Sequence, residues 1–449
     1  MNSRDQRNET AAGTRAPARR QPLPLEFPGA HWMDEREIEA VTRVLRSRSP
    51  FRYYGLDRQN EVERFEKEFA RFVGARYALA LSSGTGALFT ALSALGAGPG
   101  QEIIIPAYLW VSIVSAVVSH GAIPVLADID DTFCLDPAAV AQQITPRTRG
   151  IIMAHMSGAP GDVKAIRAIA KKHGLFLLED CAQCAGGSVD GRSVGTFGEI
   201  GIFSFQLNKN MTAGEGGCLV TNDEQLYRRA VACHDLGYAR DDKGRLLLDD
   251  NGPHLWGRGY RMDELRAAVL RVQLEKLPRI IGAMRRSKYR IRRALENLGG
   301  VQLRRIPDPQ GDTGAFLITT YPDAATARAA NAALRAEGLV TYPDGINNVL
   351  MTDWGLHLYY NNLSLVEHAS VDPGGFPWTL EQNRTLLRGY SKGACPRADD
   401  LFERSILMAI PSCLTQEDED QIIEAFARVS VTVPGSGFSL AERVGPEPA

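Results

Sequence analysis

What this 449-residue chain lacks limits what it can be. No apolar run approaches the ~20 residues that a helix needs to cross a bilayer, so no helical membrane span is expected. The formal net charge is only −2 and charged residues make up 23%. Without an excess of either sign, nucleic acid and anionic membrane surfaces are not expected partners. Cysteines number seven, an odd count without regular spacing, which excludes a disulfide framework and points to a reducing cytoplasm. Cys181 and Cys184 form a Cys-x-x-Cys, but no second pair stands at ligand spacing, so no metal is expected. The glycine-rich turn at 96–100 follows a helix and precedes a strand, the reverse of what a dinucleotide loop requires. Residues 1–24 are polar and arginine-rich with no apolar centre, which excludes a secretory signal. Residues 1–25 are read as a disordered extension, a transit peptide being the other reading.

What is present is enough apolar sequence, 44%, to bury a large core in two domains with tails. The expected division is a large domain over 26–285, a smaller one over 286–432 and a flexible tail over 433–449. Continuous apolar runs at 103–105, 123–127, 151–155, 176–178, 200–205 and 218–221 alternate with helical segments such as 163–173. That pattern predicts an α/β fold with a mainly parallel sheet covered on both faces. Ligands of such sheets lie beyond the strand C-termini. Asp34 with Glu37 caps a first helix and Asn60 opens a second. A long helix from about 262 toward 298 should be kinked or broken at Pro278. The C-terminal part reads as α+β, with strands at 315–321 and 406–410. Between its strands, residues 341–396 form a long, aromatic-rich stretch with Trp354, His357 and Tyr390. Its length and aromatics suit substrate recognition, although each histidine taken alone also suits a structural place.

Three local patterns carry chemistry. Lys209 follows the apolar run ending at Phe205 and precedes Gly214-Glu215-Gly216-Gly217. An amine at the end of a buried strand loses part of its hydration and becomes a nucleophile toward an aldehyde such as pyridoxal phosphate; a solvated loop lysine is the alternative. The run from Gly174 to Gln183 reads as a buried strand that ends in the carboxylate of Asp180, with Gln183 three residues on. A carboxylate can keep a pyridine nitrogen protonated while an amide binds the ring hydroxyl; capping of the next loop is the alternative. Ser83-Gly84-Thr85 opens an apolar-periodic helix whose free N–H groups suit a phosphate, or are capped in the ordinary way by the serine.

In this order the three patterns resemble the DegT/DnrJ/EryC1/StrS family of pyridoxal-phosphate-dependent sugar and cyclitol aminotransferases, over roughly residues 30–430. The resemblance implies transferase fold type I, a large domain with a mainly parallel seven-stranded sheet and a smaller C-terminal α+β domain. It implies that Ser83, Gly84, Thr85 and Ser204 bind the cofactor phosphate, that Lys209 bonds the cofactor as a Schiff base, and that Asp180 and Gln183 meet the ring nitrogen and hydroxyl. Trp110 matches the aromatic that stacks on the cofactor, a core tryptophan being the other reading. The family's working unit implies a homodimer with shared active sites. Gly259 stands where relatives have an asparagine that reaches the neighbour's phosphate. Arg258 or Arg261 would then supply the contact to phosphate or substrate, unless they are a solvated surface pair.

The expected function is transfer of an amino group from glutamate or glutamine to a keto-sugar, keto-deoxy sugar acid or keto-cyclitol, with Lys209 moving the proton between substrate and cofactor. Residues 51–54 and 154–158 resemble the branch that aminates carbon 8 of an eight-carbon keto-deoxy sugar acid; an aminosugar or cyclitol pathway of secondary metabolism is equally open. A dehydratase on the same cofactor and a non-catalytic regulator on the same fold remain as alternatives. The retained Lys209, Asp180 and Gln183 oppose the regulator.

Overall fold

The structure, a computed structural model, describes residues 15–241, 243–248, 252–296, 298, 301–341, 347–370 and 372–433. Its strands in the first half are β1 (Tyr77–Leu81), β2 (Glu102–Pro106), β3 (Ile123–Ala127), β4 (Thr148–Ala154), β5 (Phe176–Asp180), a short hairpin of β6 (Ser188–Val189) and β7 (Arg192–Ser193), β8 (Ile200–Ser204) and β9 (Gly217–Thr221). Seven of them form one sheet in the order β1-β9-β8-β5-β4-β2-β3. The five strands from β8 to β3 run parallel, and β9 pairs antiparallel with both β8 and β1.

Helices cover both faces: α1 (Glu35–Ser47), α2 (Glu61–Val73), α3 (Gly84–Leu95), α4 (Val111–Ser119), α5 (Pro137–Gln143), α6 (Val163–His173), α7 (Glu224–His234) and α8 (Glu264–Glu296). The two-residue strand period divides the side chains between the faces. Leu79, Leu81, Ile103 and Ile105 join the core under α3 and α4. Ala78 and Ala80 join that under α2 and α8, and Ile104 that under α5 and α6. The apolar stretches of these strands are therefore buried on both sides, and β4, β5 and β8 lie side by side and parallel, with their C-termini at one edge.

The smaller sheet is antiparallel, in the order β10 (Gln302–Leu303), β11 (Phe316–Thr320), β13 (Ser405–Ala409), β12 (Val349–Leu350). It is flanked by α9 (Ala324–Ala336) and the C-terminal helix Gln416–Thr432, which opens on a capping box of Thr415 and Asp418.

Several sequence expectations change. The capping box of Asp34 and Glu37 is formed, but Asn60 lies in the left-handed region and makes no side-chain cap. The carboxylate of Glu264 serves instead, accepting from the N–H groups of Glu61 (2.7 Å) and Val62 (3.2 Å). Pro278 does not break α8, which continues as α-helix to Glu296. Leu274, Leu277, Ile280 and Ile281 on both sides of the proline are buried in one core, and that burial outweighs the loss of one backbone hydrogen bond. The expected boundary at 285 thus falls inside a helix that packs against both halves.

Residues 15–25 are not a loose extension. Arg19 is buried in an ion pair with Asp418 (2.6 Å), and Leu23 is buried beside Thr341, its N–H donating to Val340 O (2.8 Å). An arginine-rich segment folds here because carboxylates of the small domain receive it. Residues 1–14, and the tail expected over 433–449 apart from Val433, lie outside the described residues. The long segment after β12 is packed on the large domain. Tyr390 donates to Pro124 O (2.7 Å), Asn383 to Gly121 O (3.0 Å), and Arg388 pairs with Glu102 (2.7 Å).

Candidate active site

The C-terminal edge of the large sheet opens into a cavity of about 640 Å³. Lys209, Asp180, Gln183, Trp110 and Ser204 all line it, as do Ser83, Gly84 and Thr85 at the start of α3. Eight of the residues singled out in the sequence therefore come together.

The α3 end is built for an anion. Ser83 accepts from Gly86 N–H (3.0 Å), which consumes one first-turn donor, and the Thr85 hydroxyl is bonded to that of Ser112 (2.8 Å). The amides of Gly84 and Thr85, in the first turn, have no partner within the helix. Ser204, at the end of β8, is packed against this turn so tightly that a Cβ on Gly84 would stand 2.7 Å from Ser204 Cβ. Gly217 is needed for the same reason, since its Cβ would lie 2.2 Å from Ser83 O. A cradle of small residues, backbone donors and hydroxyls results.

Asp180 is 7% exposed; one carboxylate oxygen accepts from Ala182 N–H (2.9 Å). Burial raises its pKa, while Ala182 N–H and the charge of Lys209 oppose that shift. Lys209, in the turn between β8 and β9, is half-buried, and its amine is brought down to about 8 by burial against the opposing pull of Asp180 and Glu215. Gln183 accepts from Ser157 N–H (2.8 Å) and its Nε2 lies 3.2 Å from Nε2 of His357. Trp110 remains 43% exposed toward the cavity, its ring 4.8 Å from that of His357. A phosphorylated pyridine aldehyde fits this set: the amine to bond it, a desolvated carboxylate for its nitrogen, an amide, an indole face and an anion cradle.

The arginines Arg258 and Arg261 are not in this cavity. Arg261 is paired with the buried Asp235 (2.6 Å), which also holds Arg240 (2.6 Å), and the Arg258 guanidinium sits 5.4 Å from the Phe89 ring centroid. Reading Arg261 as a solvated surface residue is thereby corrected, because a fully buried aspartate draws it in. Residues 51–54 also lie outside the cavity lining; Arg52 there, half-buried, is paired with Glu66 (2.9 Å).

Among the described residues one trio has metal-ligand chemistry, His155, Glu179 and Cys181. Its carboxylate is already occupied: Glu179 accepts from the N–H groups of Gly195 (2.8 Å), Phe197 (2.6 Å) and Gly198 (2.7 Å) and meets His155 at 3.1 Å. Burial pushes the Cys181 thiol well up, away from the thiolate that a metal needs. The contact of Glu179 with His155 links the C-terminal ends of β4 and β5 beside Asp180.

Sequence reasoning gave no definite place to His357 or to the N-terminal Glu26 and Pro28, which all line the cavity. They arrive from segments without periodicity. The richness of 341–396 in aromatics was the one signal that pointed toward His357.

Known proteins share these features. At 36% identity over 331 residues, covering 71% of this chain and 75% of the relative, the chain is similar to L-glutamine:2-deoxy-scyllo-inosose aminotransferase of Streptomyces kanamyceticus. It is 30% identical to spore coat polysaccharide biosynthesis protein SpsC of Bacillus subtilis (strain 168) over 415 residues, 90% of this chain and 96% of that one. Among solved structures, that of 3-amino-5-hydroxybenzoic acid (AHBA) synthase aligns with a TM-score of 0.75 and 28% identity, covering 93% of this chain and all of the other. The model of the DegT/DnrJ/EryC1/StrS aminotransferase family matches residues 31–343. With most of the large domain and the start of the small one inside that match, the chain belongs to the DegT/DnrJ/EryC1/StrS aminotransferase family, whose cofactor is pyridoxal phosphate and whose fold is type I.

Proposed function

We propose that this aminotransferase takes its amino group from glutamine and delivers it to a keto-cyclitol in the biosynthesis of an aminocyclitol product. The acceptor and donor rest on the likeness to the Streptomyces kanamyceticus enzyme. The observation that carries the chemistry is the convergence of Lys209, Asp180 and the α3 N-terminus on one cavity. When bound, the cofactor's pyridine ring supplies an electron sink for the carbon that exchanges its amino group.

The chain's own residues do the rest. Gly84 and Thr85 N–H groups and the Ser204 hydroxyl would hold the phosphate at the positive end of α3. Asp180, deprotonated and desolvated, would keep a proton on the ring nitrogen, because its negative charge is worth most where water is excluded. Lys209 has an amine that is partly neutral near pH 8, so it can bond an aldehyde and, when released, accept a proton at Nζ and return it. Trp110 covers one side of the cavity with an indole face, and Gln183 offers an amide to a ring oxygen. Trp354 and His357 of the 347–396 segment also line the cavity, where they would face an acceptor.

The working unit is a homodimer. Exposed apolar side chains close in sequence to the arginine segment support this: Trp256 is 95% exposed, Leu248 72% and Leu236 49%. A cytoplasmic location suits the free cysteines, Cys413 exposed and the other six buried.

The experiment is to incubate the loaded enzyme with glutamine carrying 15N in its α-amino group and a panel of 2-deoxy-scyllo-inosose, an eight-carbon keto-deoxy sugar acid and a nucleotide-linked keto-sugar. Labelled amine on the cyclitol supports the proposal. Label on another acceptor overturns the substrate class, and loss of water without label would identify a dehydratase.

A further inference from the structure

The segment after β12 is joined to the large domain by backbone pairing. Leu109 N–H donates to His357 O (3.0 Å) and Tyr359 N–H donates to Ala107 O (3.2 Å). This pairing, next to Trp110, carries His357 into the cavity wall. The imidazole is then held on each side. Trp354 stacks on it at 4.5 Å with 18° between planes, Trp110 lies at 4.8 Å and 46°, and Nδ1 is 2.9 Å from Trp354 O.

These contacts settle the hydrogens. A carbonyl oxygen can only accept, so Nδ1 of His357 carries the hydrogen. Nε2 of the neutral ring is therefore an acceptor, and it faces Nε2 of Gln183 at 3.2 Å. The other end of the amide agrees, because Gln183 Oε1 accepts from Ser157 N–H at 2.8 Å. Two contacts on opposite ends of the side chain thus fix the same amide orientation. Burial brings the His357 pKa down to about 4, which keeps the ring neutral at physiological pH.

We propose that His357 is a positioning residue for Gln183: its Nε2 takes one amide hydrogen and leaves the second N–H of Gln183 as a donor to the ring oxygen of the cofactor. The proposal rests on the cofactor reading of the cavity and adds to it a link from the C-terminal segment. A histidine between two tryptophans, bonded at both nitrogens, restricts a glutamine that would otherwise sample several rotamers. A C-terminal segment therefore sets the amide that would meet the cofactor.

The test is titration of the full-length apoprotein with pyridoxal phosphate, read by equilibrium dialysis and by the absorbance of the bound cofactor. His357→Phe keeps an aromatic ring between Trp110 and Trp354 and removes the acceptor. It should weaken binding about tenfold and shift the absorbance band, whereas in a Gln183→Ala background the same change should alter affinity less than about twofold. Unchanged affinity in His357→Phe, or an equal loss in both backgrounds, overturns the proposal. Should that variant fail to fold, 15N spectra of the wild-type imidazole decide it: the Nδ1–H tautomer persisting from pH 5 to 8 is expected, and an Nε2–H tautomer or a protonated ring overturns it. Wild-type apoprotein that bound no pyridoxal phosphate would instead overturn the reading on which the proposal rests.

Discussion

Gly84 and Ser204 come from a helix N-terminus and a strand end 120 residues apart in sequence, and a methyl group on Gly84 would stand 2.7 Å from Ser204 Cβ and 3.1 Å from its hydroxyl. Contact this close means that the anion cradle depends on glycine at that position. Gly84→Ala should push Ser204 aside, cost about 1–3 kcal/mol of stability and weaken pyridoxal phosphate binding more than it lowers thermal stability would suggest. Dialysis and a melting curve measure the two effects; unchanged cofactor affinity in a folded variant counts against the cradle.

Lys209→Ala should abolish turnover while the fold and non-covalent cofactor binding persist. Borohydride reduction of the loaded wild-type protein, followed by peptide mapping, should place the cofactor on Lys209. Recovery of the label on another lysine removes the assignment.

The amine of Lys209 should titrate far below an ordinary lysine. With its pKa near 8, about a quarter of it is neutral at pH 7.5, against about a thousandth for an unperturbed side chain. Labelling of the apoprotein by an amine reagent should therefore rise with a midpoint near pH 8. The negative charge of Asp180 raises this pKa, so Asp180→Asn should move the midpoint lower still. A midpoint above 10 in the wild type would show that the amine is solvated.

Asp180→Asn should also leave the chain folded but reduce kcat by roughly a hundredfold or more, since a neutral amide cannot hold the ring nitrogen protonated. Near-normal turnover would mean that another group serves that nitrogen.

Arg52 and Glu66 test the architecture rather than the chemistry. Their side chains are 9% and 11% exposed, and Glu66 also accepts from Ala80 N–H (2.8 Å) in β1. Arg52→Met leaves a buried carboxylate without its cation and should destabilise the protein by about 3–5 kcal/mol. Denaturant unfolding reads this directly, and a loss below about 1 kcal/mol would show that water reaches the pair.

The alternation of strands and helices and the order of the chemical motifs are written in the amino-acid sequence. Both are local: apolar runs bounded by turns specify buried strands, and Ser83-Gly84-Thr85, Asp180 and Lys209 stand where those runs end. A parallel sheet then necessarily brings such ends to one edge, so the cavity was legible before any contact was known. Other features depend on partners distant in sequence. Asn60 yields its capping place to Glu264, Pro278 stays inside α8 because one core holds both sides of it, and Arg19 and Leu23 are ordered by the small domain that receives them. His357 belongs to the same class. Nothing periodic marks it, and it reaches Gln183 only because backbone pairing with residues 107–109 and two tryptophans hold it there. Local patterning fixes which groups the chain can offer; long-range packing fixes which of them meet, since those contacts form only when the elements that carry them are already in place.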